Sequence, residues 1–461
     1  MKHIRREMTD LINRGLDSHV RIAVTGLSRA GKTAFITSLV NQLLHTSTHD
    51  NLPLFSATRD RRIVGAKRVP QTNLMVPRFA YDEAMSQLHS EPPHWPVPTR
   101  DVSEIRLAIK YKPKKRSKKL FGHTATLYLD IIDYPGEWLL DLPLLEMTYE
   151  QWSEQQFSAL SELRSSLAEP WLEGLAKLDV AQDANEQKLA SLSMLFTEYL
   201  HACKNAGLHW VQPGRFVLPG ELEGAPVLQF FPCRNPYGED KLAPNSNYSM
   251  LKARYEEYQN KVVKAFYKNY FATFDRQIVL VDCLSPLNDG YDSFLDMRRA
   301  LEQIMHSFRY GRNGLLKRLF APKIDKVLFA ATKADHVTPE QHPNLVSLLQ
   351  QMVHPAWQSA AYENIEMSCI SMASIQATQA GFIDSGERTI TIPALQGVTL
   401  DGETLTIFPG DVPKKLPNKE YWHHQGFEFT SFKPRAFSCD EPCPHIRLDK
   451  ALEYLIGDKL K

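Results

Sequence analysis

The segment GLSRAGKT, residues 26–33, has the spacing Gly-x-x-x-x-Gly-Lys-Thr. That spacing suits phosphate chemistry. Its glycines let successive backbone N–H groups turn inward as a nest, and the N-terminus of a following helix adds positive dipole. Lys32 is placed to reach the outer phosphates of a nucleotide, and the Thr33 hydroxyl to ligate Mg²⁺. Gly26, Ser28, Arg29, Ala30, Gly31 and Ala34 complete the cradle. The bland alternative is a glycine turn before a helix. The flanks argue against it, because residues 19–25 (HVRIAVT) read as a buried strand and 34–44 as a helix.

A second constellation, Asp133-Tyr134-Pro135-Gly136, ends the apolar stretch 124–133. An Asp-x-x-Gly at a strand's carboxyl end fits a metal held through Asp133, usually through water, and a γ-phosphate sensed by the Gly136 N–H. The segment after it then acts as a switch. Four residues alone are a weak signal, but one hundred residues after a phosphate loop they carry weight.

A third, Thr332-Lys333-Ala334-Asp335, follows the strand-like KVLFAA. A carboxylate at Asp335 accepts two hydrogen bonds from the guanine N1–H and exocyclic amine, a donor pair that adenine lacks. Lys333 lays its aliphatic stem along the base. The alternative is a surface turn, which the strand just before it disfavours.

These residues need a scaffold, and the rest of the chain supplies one. Strands are expected at 104–111 and 124–133, joined by a linker short enough to favour an antiparallel hairpin. Further strands fall at 278–284, 326–331 and 366–370, with helices at 291–309 and 338–357. Residues 46–100 read mostly as loop, with helix near 80–89. Charge-laced helical stretches at 146–178, 182–206 and 247–272 read as an insertion.

The fold class is therefore α/β, a P-loop nucleotide-binding domain with a mostly parallel sheet, an antiparallel strand pair and a large helical insertion. The expected organisation is a discontinuous nucleotide-binding domain at 1–140 and 276–380, the insertion at 141–275, and a C-terminal β-hairpin and helix at 381–461. The Asp-Gly in GVTLDGETLTIF marks the turn of that hairpin. Residues 4–15 read as a helix with an apolar stripe.

Composition narrows the function classes. The 461 residues are 43% hydrophobic and 23% charged, ordinary for a globular chain with a sizeable core, and the formal net charge is +1. Nothing in that balance points to nucleic acid or a membrane, so any such surface is local. One candidate exists, the run at 112–119, where Lys112 and Lys119 bracket six basic residues in eight. It suits a solvated turn, or the surface of an acidic membrane. Few aromatics interleave with it, which disfavours nucleic acid.

The six cysteines lack any Cys-x-x-Cys pair and read as reduced thiols. Cys439, Cys443 and His445 lack a fourth ligand at familiar metal spacing. The N-terminus has no apolar signal region and no segment is long enough to span a bilayer, so the expected location is cytoplasmic. No Gly-x-Gly-x-x-Gly follows the first strand, which disfavours a dehydrogenase.

The order GLSRAGKT, DYPGE, TKAD resembles a Ras-like GTPase. The wider text resembles one family more closely. TRDVSEIRL, LDIIDYPGEWLLDLPLL, LVDCLSPLNDG and HIRLDKALEYLIGDKL look like the YcjX-type stress-associated P-loop proteins of bacteria, over nearly the whole chain. The resemblance implies a stress-induced protein that binds GTP/GDP with Mg²⁺. It also implies association with a small membrane protein of the same response, and so contact with the inner membrane.

Carried onto this sequence, the family pattern asks for a switch threonine that caps metal and γ-phosphate, for which Thr99 is the candidate. It asks for a base-contact loop, for which Met372 and Ala373 are candidates. Where Ras-type enzymes place a glutamine that orients the attacking water, this chain has Glu137, so intrinsic hydrolysis is expected to be slow. Arg29 and Arg100 are the cations at hand to compensate, but both suit ordinary surface or phosphate contacts better. Two other readings stand beside the GTPase: a scaffold stabilised by nucleotide, and an ATP-using P-loop enzyme.

Overall fold

The computed structural model describes residues 17–27, 29–99, 101–114, 124–238, 242–307, 324–362, 365–384, 391–424 and 429–461. The expected helix at 4–15, Ser28, Arg100 and most of the basic run at 112–119 lie outside the described residues.

The chain divides into two compact units. One comprises Met1–Tyr134, Phe274–Tyr291 and Lys323–Lys461; the other comprises Pro135–Thr273 and Asp292–Pro322.

The first unit is built on a seven-stranded sheet. Its strands are β1 (Ser18–Gly26), β2 (Ile63–Val69), β3 (Ser103–Tyr111), β4 (Ala125–Asp133), β5 (Arg276–Val281), β6 (Lys326–Ala331) and β7 (Glu366–Ser371), in the order β2-β3-β4-β1-β5-β6-β7. Neighbouring pairs from β4 to β7 are parallel, whereas β3 runs antiparallel to both β2 and β4. The sheet is thus mostly parallel with an antiparallel hairpin, as the apolar runs imply.

Central strands of this kind are apolar throughout because both faces are covered. All six residues of β5 are buried. On one face Ile278, Leu280, Leu328 and Ala330 pack with Phe35, Ile36 and Leu39 of helix Lys32–His45. Leu448, Leu452 and Leu455 of helix Leu448–Ile456 join the same core. Arg276, buried at the start of β5, fixes that last helix through Asp458 at 2.9 and 3.0 Å and the Leu455 carbonyl at 3.1 Å.

Two strands escape the sequence reading. Residues 46–100 read as loop plus helix, yet they contain β2, paired along β3. This edge strand, IVGAKRV, has no fully buried residue, so it lacks the apolar signature of its neighbours. The C-terminal hairpin is real, β9 (Thr391–Val398) against β10 (Thr404–Ile407), but a preceding strand, β8 (Thr378–Asp384), pairs with β9 to make three.

The second unit is helical with an aromatic interior. Trp152 is fully buried, stacked on Tyr255 at 5.2 Å and met edge-on by Phe230 at 5.4 Å. The stretch 146–178, read as long helix, breaks into Tyr149–Ser158, Glu162–Leu167 and Glu169–Ala176, with Pro170 seated in the first turn of the last. Residues 292–307, in the helix Tyr291–Ser307, cluster with this unit and not with the sheet. One tie is buried: Asp296 accepts from Arg164 at 2.6 Å and from the backbone N–H groups of His209 and Trp210 at 2.6 and 2.7 Å.

Candidate functional site

Register sets the frame of the site. Gly26 lies beside Leu280, Val24 beside both Asp133 and Ile278, Val281 beside Ala331, and Ala331 beside Ser371. The residues leaving these strands, Gly26, Asp133, Asp282, Thr332 and Met372, therefore share the carboxyl edge of the sheet. Strand order reverses there at β1, which is flanked by β4 and β5. In open α/β sheets that crevice is where ligands sit.

The phosphate loop is a conformation that needs its glycines. A Cβ on Gly26 would lie 2.7 Å from the Leu280 carbonyl oxygen, and Gly31 has φ +81 at the N-cap of helix Lys32–His45. Arg29 also has positive φ, 62, and its side chain is exposed. Backbone bonds from Ala30 to Leu27 (3.2 Å) and Phe35 to Gly31 (2.9 Å) close the turn. The first turn of the helix carries no acidic residue, so its positive end faces no carboxylate of its own. Lys32 curls back over the loop, with Nζ 3.4 Å from the Gly26 carbonyl. Thr33 is buried and Ala34 half-buried, the latter packing with Leu88, Ile375 and Cys443.

Asp133 is 1% exposed at the end of β4. The Thr99 hydroxyl donates to its Oδ2, so the structure brings the candidate switch threonine onto the candidate metal ligand. Its other oxygen, Oδ1, is buried with no hydrogen-bond partner. Burial pushes the Asp133 carboxyl up, against the pull of the Lys32 charge and the Thr99 hydroxyl. An orphaned carboxylate oxygen with the Thr99 hydroxyl at hand is a fit set of hard oxygen ligands for Mg²⁺. Thr33, Asp133 and Thr99 are the residues that would hold it.

The base end is built from β6, β7 and the loops after them. The Thr332 N–H bonds the Val281 carbonyl at 2.9 Å, tying the loop to β5. Lys333 adopts φ 58, a left-handed conformation that costs a non-glycine residue about 1 kcal/mol or more. Its ammonium lies 2.5 Å from Asp282 Oδ2.

Asp335 is buried, accepting from the Ala377 N–H at 2.6 Å and facing His336 Nδ1 at 3.2 Å. Burial acts to raise its carboxyl, but His336 and the Ala377 N–H outweigh it and hold it below the usual range.

The base-contact loop differs from expectation. The Met372 N–H already bonds the Ala331 carbonyl at 2.9 Å, and the Ala373 N–H bonds Ile446 at 3.1 Å, with the reverse bond at 2.9 Å. The N–H groups of both candidate residues are committed to backbone, the second because the C-terminal segment bridges onto it.

Gly136 and Glu137 belong to the second unit, in the 3₁₀ segment Gly136–Glu146. Glu137 is 5% exposed and Lys204 holds its Oε1 at 2.8 Å. A Cβ on Gly214 would fall 2.1 Å from the Glu137 carbonyl oxygen, and the Trp138 indole donates to Leu218 at 3.0 Å. The segment following Asp-x-x-Gly is thus part of the helical interior, and its carboxylate already has a cation. Arg29 stands exposed, as above.

The sequence reading misses Asp282 and Lys204. Asp282 carried only half a signal, an aspartate ending an apolar strand with Ser285 three residues on, since its partner Lys333 lies on the next strand's loop. Lys204 carried none, because its partner is 67 residues away. Among the described residues no group of three or more His, Cys, Asp or Glu side chains is placed to hold a metal. His445 instead bonds the Asn51 carbonyl at 3.0 Å, and the Cys443 N–H bonds Asn41 at 2.8 Å. No helix among the described residues is long and apolar enough to cross a membrane.

Comparison with known proteins adds a family to this geometry. The YcjX-like family, DUF463, matches residues 20–460, from the first strand to the last turn. The chain belongs to that family. It is similar to the Ras-like GTPase YcjX of Escherichia coli (strain K12), 54% identical over 468 residues that cover 100% of both chains. It is also similar to the Ras-like GTPase YcjX of Shewanella oneidensis, 45% identical over 480 residues covering 99% of this chain and 98% of that one. The likeness takes in the helical unit and the C-terminal segment as well as the three motifs.

Proposed function

We propose that this protein binds guanine nucleotide, GTP or GDP with Mg²⁺, and hydrolyses GTP slowly as a nucleotide-dependent switch. The observation that carries it is Asp335: a buried carboxylate held ionised at the carboxyl edge of the sheet that also bears the phosphate loop. A buried acceptor there favours a base that presents paired donors, which adenine does not.

Each residue then has a task. Gly26, Ser28, Arg29, Ala30, Gly31 and Ala34 shape the cradle, and Lys32 balances phosphate charge. Thr33, Asp133 and Thr99 provide oxygen ligands for Mg²⁺, which when bound neutralises charge building on the phosphates. Thr332, Lys333 and Asp335 read and support the base.

The slow rate rests on Glu137. With its carboxylate paired to Lys204, it is not free to orient water. That same pair favours a second reading, a nucleotide-stabilised scaffold with little hydrolysis. The family resemblance further suggests a role in a bacterial stress response, with a membrane protein as partner and a cytoplasmic location at the inner membrane surface.

Phosphate release from GTP and from ATP, each with Mg²⁺, tests the proposal, with the Lys32→Ala protein as control. Slow, GTP-selective release that Lys32→Ala abolishes supports the switch. Tight guanine binding without release supports the scaffold. Equal use of ATP removes the guanine reading.

A further inference from the structure

Asp282 lies outside the phosphate-loop, Asp-x-x-Gly and base-reading motifs, yet it accepts four bonds at the sheet's carboxyl edge. Its Oδ1 accepts from the N–H groups of Leu284 and Ser285, both at 3.1 Å, and its Oδ2 accepts from the Ser285 hydroxyl at 2.5 Å. The side chain is 2% exposed. Three local donors fix its orientation, and its Oδ2 meets the Lys333 ammonium at 2.5 Å. The acceptor is therefore oriented by the protein's own donors.

Lys333 is held at both ends. Its backbone sits in the left-handed region at φ 58, just past β6, and its ammonium is pinned beside β5. Between the two anchors runs the aliphatic stem, on a side chain that is still 32% exposed. An untethered lysine is among the side chains with most rotamer freedom to lose on packing. A lysine already paired loses much less, so a flat ligand laid on its stem is bound by a preorganised surface.

We propose that Asp282 is a positioning residue for base binding: by holding the Lys333 ammonium, it sets the lysine stem as a platform for one face of the purine. The inference rests on the guanine reading above and deepens it. Asp335 reads the donors on the base edge, whereas the Asp282–Lys333 pair supports the base face and is indifferent to the exocyclic amine.

The test is a set of titrations on the full-length protein with GDP and with inosine diphosphate, whose base lacks that amine. The proteins are wild type, Asp282→Asn, Lys333→Met and the double variant. Methionine keeps a linear, unbranched stem but removes the tethered charge. The expected result is that each single variant weakens GDP binding ~tenfold through lost preorganisation, with the ratio of GDP to inosine diphosphate affinity unchanged. The double variant should be no weaker than either single one.

Additive losses, or Asp282→Asn binding GDP as wild type does, would overturn the proposal. A changed ratio would place Asp282 in edge recognition and overturn it too. If Asp282→Asn does not fold, Lys333→Met alone decides: GDP binding equal to wild type refutes the tether. Wild-type protein that ignores GDP while binding ATP would defeat the guanine reading itself, and this proposal with it.

Discussion

The Lys204 ammonium lies 2.8 Å from Glu137 Oε1, and the two side chains are 23% and 6% exposed. The residue that follows Asp-x-x-Gly is thereby an internal ion-pair partner in the helical unit. Breaking such a pair leaves a charge with little solvent, at a cost of roughly 3–5 kcal/mol when fully buried and less with a partly exposed lysine. Lys204→Ala and Glu137→Ala should each lower the denaturant midpoint. The double variant should be less destabilised than the sum, with a coupling of about 1–3 kcal/mol. Simple additivity in chemical denaturation would mean the contact contributes nothing.

Lys32 makes one long hydrogen bond, 3.4 Å to Gly26, and is only half-buried. Its removal should therefore leave the fold nearly unchanged, within ~0.5 kcal/mol as for a surface substitution. Nucleotide affinity should drop at least ~tenfold, since a charge-assisted phosphate contact is worth about 1.5–3 kcal/mol. Thermal melting with and without GDP measures both at once: equal melting temperatures without ligand, and a lost ligand-induced rise in the variant.

Asp335→Asn replaces an acceptor-only group with one that also donates. The Ala377 N–H can still be met by the amide oxygen, so the loop should survive. The paired donors of guanine then face a donor, and GDP affinity should fall ~tenfold or more while ATP affinity stays where it was. Competition of GDP and ATP for a fluorescent nucleotide reads this directly. An unchanged GDP preference would show that Asp335 serves the loop alone.

Asp141 makes a pH prediction for the helical unit. It is buried, and burial raises its carboxyl to about 6 despite bonds from the Gly214 N–H at 2.8 Å and the Tyr258 hydroxyl at 2.5 Å. A folded-state value above the unfolded one means the stabilising form is protonated. Its contribution is complete below the ordinary aspartate range and is lost as pH rises through about 6. The change is worth up to roughly 3 kcal/mol. Melting temperature should fall between pH 4.5 and 7.5, and Asp141→Asn should flatten that slope. A slope that is the same in the variant would assign it to other groups.

The motifs were legible because they are local. GLSRAGKT, DYPG and TKAD each sit in a short loop after a strand, so residue type and spacing mark them, and the apolar runs before them mark the sheet. What was not legible is relational. Strand β2 hides because an edge strand need not be apolar, and IVGAKRV carries Gly, Lys and Arg. Asp282 gains meaning only when β5 and β6 are known to be neighbours, 51 residues separating it from Lys333. The Ala373 N–H looks available until the C-terminal segment, through Ile446, is found bonded to it. Residues 292–307 follow a sheet strand in sequence, but the buried Asp296 joins them to the helical unit.

Calorimetric titration of the purified protein with GDP and with ADP, each with Mg²⁺ and at the same pH and salt, shows whether the site selects guanine. Saturable GDP binding at one site is expected, with ADP binding at least ~100-fold weaker, the discrimination a buried edge-reading carboxylate supplies. Equal affinity for the two, or binding of neither, would contradict the guanine reading.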